Sequence, residues 1–97
     1  MAAYLLVTIK AHDFTWLGDY SANVPAIIAK HGGSYLAVSE TITRMEGDGP
    51  DLDSIVLLTF PSMTAIDACL ADPAYAPYKV ARLAATSGDM FAFTPRV

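Results

Sequence analysis

Two stretches, Tyr4–Lys10 (YLLVTIK) and Ser54–Phe60 (SIVLLTF), consist of strand-forming residues and are apolar at odd and even positions alike. A strand whose two alternating sets are both apolar has to be covered on both sides. In a chain of 97 residues, with room for one domain and one modest core, that demand outruns the supply of covering elements. The composition agrees, because 54% of the residues are hydrophobic and only 16% charged, yet no apolar run approaches the roughly 18 residues of a membrane span. The excess apolar surface therefore needs another partner.

The intervening segments supply the cover for one side. From Asp13, a residue type suited to capping, Leu17, Tyr20, Val24, Ile27, Ile28 and His31 recur at three- and four-residue steps and predict one apolar helix face. Pro25 removes a backbone donor within this run, which predicts a kink near Ser21 or a break and restart at Pro25. Gly32 suits the left-handed position that ends helices, and Gly33 lets the chain turn directly into a second strand, Ser34 to Met45. That strand carries Ser39, Glu40, Thr41, Thr43 and Arg44, a polar pattern that suits a sheet edge, and EGDGPD follows as a turn. After the third strand, Ser62 can cap a short helix that Asp72-Pro73 ends. A further helix places Tyr75, Tyr78, Arg82 and Ala85 on one side and stops at Gly88, and Met90–Thr94 is the last strand.

The order β-α-β-β-α-β, with the second helical region in two pieces, defines a ferredoxin-like α+β domain spanning residues 1–97, with a four-stranded antiparallel sheet in the spatial order 4-1-3-2. Both helices of that topology cover the same sheet face. If roughly 600 Å² of apolar sheet on the other face stayed wet, at ~25 cal/mol per Å² the molecule would forgo about 15 kcal/mol, as much as a domain's whole net stability. A homodimer packed sheet on sheet is the expected remedy.

Several classes of function are disfavoured. With a net charge of −4 and six Lys and Arg scattered along the chain, no phosphate-neutralising stripe exists, so no nucleic-acid partner is expected. His12 and His31 stand far apart without an HExxH or CxxC pattern, so neither a metal nor a cofactor is expected. MAAYLLVTIK lacks the basic start of a secretory signal, which points to a cytoplasmic protein without membrane association. Cys69 lies in an apolar helical pattern and reads as a small buried side chain rather than a nucleophile. Asp48, Asp51 and Asp53 lack the spacing and terminal Glu of a calcium loop and read as solvated turn residues.

The topology brings the end of strand 1, the start of helix 1, the β2–β3 turn and the end of helix 2 to one end of the sheet. His12, Tyr20, Arg44, Glu46 and Arg82 are accordingly the candidate site, in a pocket between helices and sheet. Tyr20, Arg44 and Arg82 would bind a small organic molecule, neutral or anionic, and His12 or Glu46 would move a proton. Each has a structural alternative: His12 at the helix start, Tyr20 in the core, Glu46 and Arg82 as an ion pair. Lys30, His31 and Tyr35 fall at the opposite end and are assigned to the fold, and Tyr75 and Tyr78 to helix packing.

Several stretches carry a resemblance to a known family. The series Tyr20, Pro25, Gly32, Gly33 and Tyr35, then Glu46-Gly47, Phe60-Pro61-Ser62, and Pro73, Tyr75 and Arg82, resembles in order and spacing the domain-of-unknown-function family 1330. The resemblance spans almost the whole chain and implies a dimeric α+β barrel with sheets packed back to back, but no reaction. Where that family often shows Arg-Gly-Gly, this chain has Val38–Thr41 (VSET), which leaves Arg44 as the arginine nearest that position. A cofactor-free enzyme or binder of a small molecule, or alternatively a non-catalytic dimeric interaction or sensing module, fits these features.

Overall fold

The computed structural model describes residues 2–96. The chain runs β1 (Ala3–Ala11), α1 (Leu17–Lys30), β2 (Ser34–Ser39), β3 (Ser54–Phe60), α2 (Met63–Leu70), α3 (Ala76–Ala85), β4 (Thr86–Ser87) and β5 (Met90–Phe93). All strand pairs are antiparallel, with β1 between β3 and β5 and β2 outside β3. This is the ferredoxin-like α+β order expected from the sequence, with one strand more. The addition is β4, whose Thr86 and Ser87 pair with Ala11 and Lys10. It forms because Gly88, at φ +147°, lets the chain pass against the Thr8 carbonyl, where any Cβ would collide.

Register sorts the sheet into two faces. Leu5, Val7 and Ile9 of β1 stand beside Leu58 and Val56 of β3 and face the helices, where Val24 and Ile66 are the most completely buried large side chains. The intervening set, Tyr4 and Leu6 with Leu57, Phe91 and Phe93, faces away from them. Phe91 and Phe93 are 56% and 44% exposed, and the Tyr4 and Phe93 rings lie 5.5 Å apart. Both strand faces are thus apolar, and the helices serve one.

The α1–β2 junction forms as the glycine pair dictates. Gly32 has φ +79°; its amide donates to the Ala29 carbonyl at 3.0 Å and that of Gly33 to Ile28 at 2.9 Å, the paired bonds of a Schellman end. α1 starts later than expected and runs unbroken through Pro25. The helix starts at Leu17 rather than after Asp13, because the Asp13 carboxylate accepts from the Thr15 amide and hydroxyl, both at 3.0 Å, and spends its capping capacity on a local turn. Of the two outcomes expected at Pro25 the break does not occur: the helix continues to Lys30, and Ser21, whose carbonyl the proline leaves without a donor, lies on the exposed side.

The second strand ends at Ser39, not Met45. Its neighbour β3 begins only at Ser54, paired through Ile55 to Ser39, so residues beyond have no ladder to join. The Ser39 hydroxyl also accepts from the Thr41 amide at 3.1 Å and turns the chain away. Residues 40–53 form an irregular loop held by Arg44, which donates to the Gly49 and Pro50 carbonyls at 2.6 and 2.9 Å. Ser62 caps α2 as expected, accepting from the Ala65 amide at 3.1 Å.

Candidate functional site

The helices do not close completely on the sheet. Between them lies a cavity of about 70 Å³. Its floor is Leu5, Val7 and Ile9 of β1 with Val56, Leu58 and Phe60 of β3. Tyr20, Val24 and Ile28 of α1 roof it, and Tyr35, Cys69, Leu70, Tyr75 and Met90 complete the wall. A wider groove of about 380 Å³ opens beside it, bounded by Phe14, Trp16 and Leu17 before and at the start of α1 and by Glu40 and Asp53 at the ends of the loop. Ile9, Tyr20, Tyr35 and Val56 border both spaces, so the groove forms the approach to the cavity. Its size falls within the range of small-molecule sites, about 300–1,000 Å³.

Tyrosine hydroxyls are the main polar feature of the cavity wall. The oxygens of Tyr20 and Tyr75 lie 3.0 Å apart, joining α1 to the start of α3 across the cavity. Trp16 meets the Tyr20 ring edge-on at 5.2 Å and is fixed by its indole N–H, which donates to the Asp13 carbonyl at 2.7 Å. Burial, then the neighbouring Tyr75, pushes the Tyr20 hydroxyl far above the usual tyrosine range, so it stays protonated and available as a donor. Burial also raises Tyr35, and burial with the nearby Asp72 charge raises the Cys69 thiol, which keeps it a neutral wall group.

The sequence candidates separate. Tyr20 lines the cavity. Arg82, on α3, lines neither the cavity nor the groove beside it, and its buried Nε has no hydrogen-bond partner among the described residues. Arg44 and Glu46 lie instead along a groove of about 660 Å³ with Thr8 and Lys10, on the side away from the helices. There Arg44 holds its own loop and approaches Asp51 at 3.7 Å. His12 is exposed and borders none of these spaces; only its amide is engaged, donating to the Ala85 carbonyl at 3.0 Å. The five residues thus do not share one pocket. The long loop is the reason: a strand to Met45 would have kept Arg44 in line with the sheet, but the chain leaves the sheet at Ser39 and carries both residues past its rim.

Tyr35 and Tyr75, assigned to fold and packing from the sequence, do line the cavity. The signal was available: Tyr75 shares a helical stripe with Arg82, and Tyr35 alternates with the outward residues of an edge strand. At the far end, Asp72 is almost fully buried and accepts from His31 at 2.8 Å, Lys30 at 3.1 Å and the Ala74 amide at 2.9 Å. Among the described residues no group of three or more His, Cys, Asp or Glu side chains could hold a metal ion. Among the described residues no helix is long and apolar enough to cross a membrane.

The family model for the domain of unknown function DUF1330 matches residues 2–94. The chain belongs to this family. No curated protein sequence matches this DUF1330 member significantly. Among solved structures, a protein of unknown function from Rhodopseudomonas palustris superposes with a TM-score of 0.83 at 16% identity, covering 99% of this chain and 83% of the other. A DABB family protein with a ferredoxin-like fold from Mesorhizobium loti gives 0.75 at 12%, covering 99% and 98%. SnoaB, a cofactor-independent oxygenase from Streptomyces nogalater, gives 0.71 at 18%, covering 99% and 94%. At these identities the likeness is one of fold.

Proposed function

We propose that this DUF1330 protein is a homodimer whose protomers each bind a small, mostly apolar organic molecule between helices and sheet, and do so without a cofactor. The observation that carries the reading is the groove of about 380 Å³ that continues into the cavity, with apolar walls and one pair of tyrosine hydroxyls as a fixed polar anchor. Tyr20 and Tyr75 orient the ligand's oxygen, and Tyr35 and Val56 line the passage. Arg44, Glu46 and His12 have no part in it. The cofactor-independent oxygenase of the same fold supports the choice of small organic ligands and of chemistry performed by protein groups. The outward apolar face, with Phe91 and Phe93 at its edge, supports pairing with a second copy, since two-fold dimers bury one self-complementary patch.

A thermal-melt screen with small aromatic alcohols, ketones and acids tests the binding reading. A bound compound raises the melting temperature of the wild type in proportion to the logarithm of its concentration. Val56→Phe, which blocks the passage between groove and cavity, should fold and lose that response. If no compound shifts the melt, or the variant responds as the wild type does, the cavity is packing space and the reading fails.

A further inference from the structure

The groove beside the cavity carries charge of one sign. Among the described residues that line it, the charged side chains are Glu40 and Asp53, and no Lys, Arg or His is present. The fold sets the two carboxylates at one place: Ser39 pairs with Ile55 as the last rung between β2 and β3, and Glu40 and Asp53 flank the loop just past it. Both belong to the groove and neither to the cavity within.

The fold leaves this charge largely uncompensated. Asp53 Oδ2 accepts from the Ala11 amide at 2.7 Å and has Lys10 Nζ at 4.0 Å, a half-exposed pair too long to cancel it. Glu40 is exposed and belongs to none of the four ion pairs among the described residues. The arginines that the sequence offered for an anion lie elsewhere, Arg44 along the outward groove and Arg82 in the lining of neither space. Much of the remaining wall is aromatic: Phe14, Trp16, Tyr20 and Tyr35 line the same groove, and Phe14 is 57% exposed, a ring that the folded chain leaves uncovered. Aromatic faces and carboxylates attract the same kind of group, an organic cation, and both repel an anion.

We infer that the groove takes ligands bearing a protonated amine, an arylalkylammonium whose nitrogen lies at Glu40 and Asp53 while its ring runs along the aromatic wall toward the Tyr20–Tyr75 pair. This inference rests on the small-molecule reading above and adds the charge of the ligand. A carboxylic acid of the same shape is disfavoured, because it would set like charges together in a groove without a cation.

Three phenols that share a skeleton test it: tyramine, with an amine at the far end; 4-ethylphenol, with none; and 3-(4-hydroxyphenyl)propionic acid, with a carboxylate. At about pH 7 the amine is protonated, the acid ionised and all three phenol groups neutral. Calorimetric titration of the wild type is expected to find tyramine bound about three- to ten-fold tighter than 4-ethylphenol, and the acid bound more weakly than either. Glu40→Gln, a change at an exposed position, should reduce the advantage of tyramine, with circular dichroism checking the fold. The wild-type ranking stands alone should the variant fail to fold. Tyramine no tighter than 4-ethylphenol, an acid that binds as well as 4-ethylphenol, or an advantage undiminished in folded Glu40→Gln overturns the ammonium inference and leaves the cavity reading intact. Absence of binding by all three overturns the inference too, and takes the cavity reading with it only if the broader melt screen is also blank.

Discussion

His31 Nε2 donates to Asp72 Oδ2 at 2.8 Å and ties the end of α1 to the link between α2 and α3. Asp72 in turn fixes the turn that carries Tyr75, because its main-chain carbonyl accepts from the Tyr75 amide at 2.9 Å. The clamp at one end of the helices therefore positions a hydroxyl inside the cavity.

Asp72 gives the fold a definite acid response. Hydrogen bonds from His31 first, then from the Ala74 amide and Lys30, hold its carboxyl well below the ordinary value of 3.8. Its contribution is present above that value, where the carboxylate is ionised in both states. It is lost as pH falls from there toward the lower folded-state value, because the unfolded chain takes up the proton first. Asp72→Asn should lower the melting temperature at neutral pH, and the gap from the wild type should narrow below about pH 4. Melts at several pH values check this; a gap independent of pH would contradict it.

The tyrosine pair should show coupling. Tyr20→Phe and Tyr75→Phe each leave the partner hydroxyl without its bond in a largely apolar setting, lowering stability by about 1 kcal/mol. The double variant should lose less than the sum of the two, since it leaves no orphaned hydroxyl. Urea unfolding of the four proteins completes the cycle; strict additivity would mean that the pair is only adjacent.

The glycine at the head of β2 is there for space. A Cβ on Gly33 would stand 2.6 Å from both the Ile28 methyl and the Phe60 ring, whereas one on Gly18 in the first turn of α1 meets nothing within 4 Å. Gly33→Ala should destabilise by about 1–3 kcal/mol through overpacking. Gly18→Ala should stabilise by roughly 0.5–1 kcal/mol through helix propensity. Denaturant midpoints of the two variants should move in opposite directions.

The outward sheet face predicts an assembly and a way to dissolve it. The wild type should run in light scattering at twice its 10.3 kDa chain mass. Phe91→Arg places a charge beside Leu6, its partner across β1, and should yield folded monomers at micromolar concentration. A monomeric wild type would remove the dimer from the proposal.

Much of the architecture was legible because its signals are local. Strand runs at period two, helix stripes at 3.6, Gly32-Gly33 and Ser62 each act within a few residues, and each formed as expected. Where a local signal competed with another local partner it misled: Asp13 was drawn to Thr15 instead of capping the helix, and the polar stretch after Ser39 had strand-like composition but no strand to pair with.

The candidate site divides along the same line. Tyr20 could be singled out because helix periodicity sets which side it occupies, whereas the same periodicity did not bring Arg82 to the cavity wall. Tyr35 and Tyr75 could not be told from packing residues by type alone, since a tyrosine reads the same whether its ring fills a core or its hydroxyl anchors a cavity.

The amino-acid sequence by itself determined that two strands would be apolar on both faces and that helices would cover just one of them, because alternation and periodicity follow from backbone geometry. Only the tertiary structure decided that Tyr20 meets Tyr75 and that Arg44 and Glu46 lie outside the pocket. Those relations span tens of residues and depend on how tightly the helices close on the sheet and where a long loop leaves it, quantities that no short-range pattern encodes.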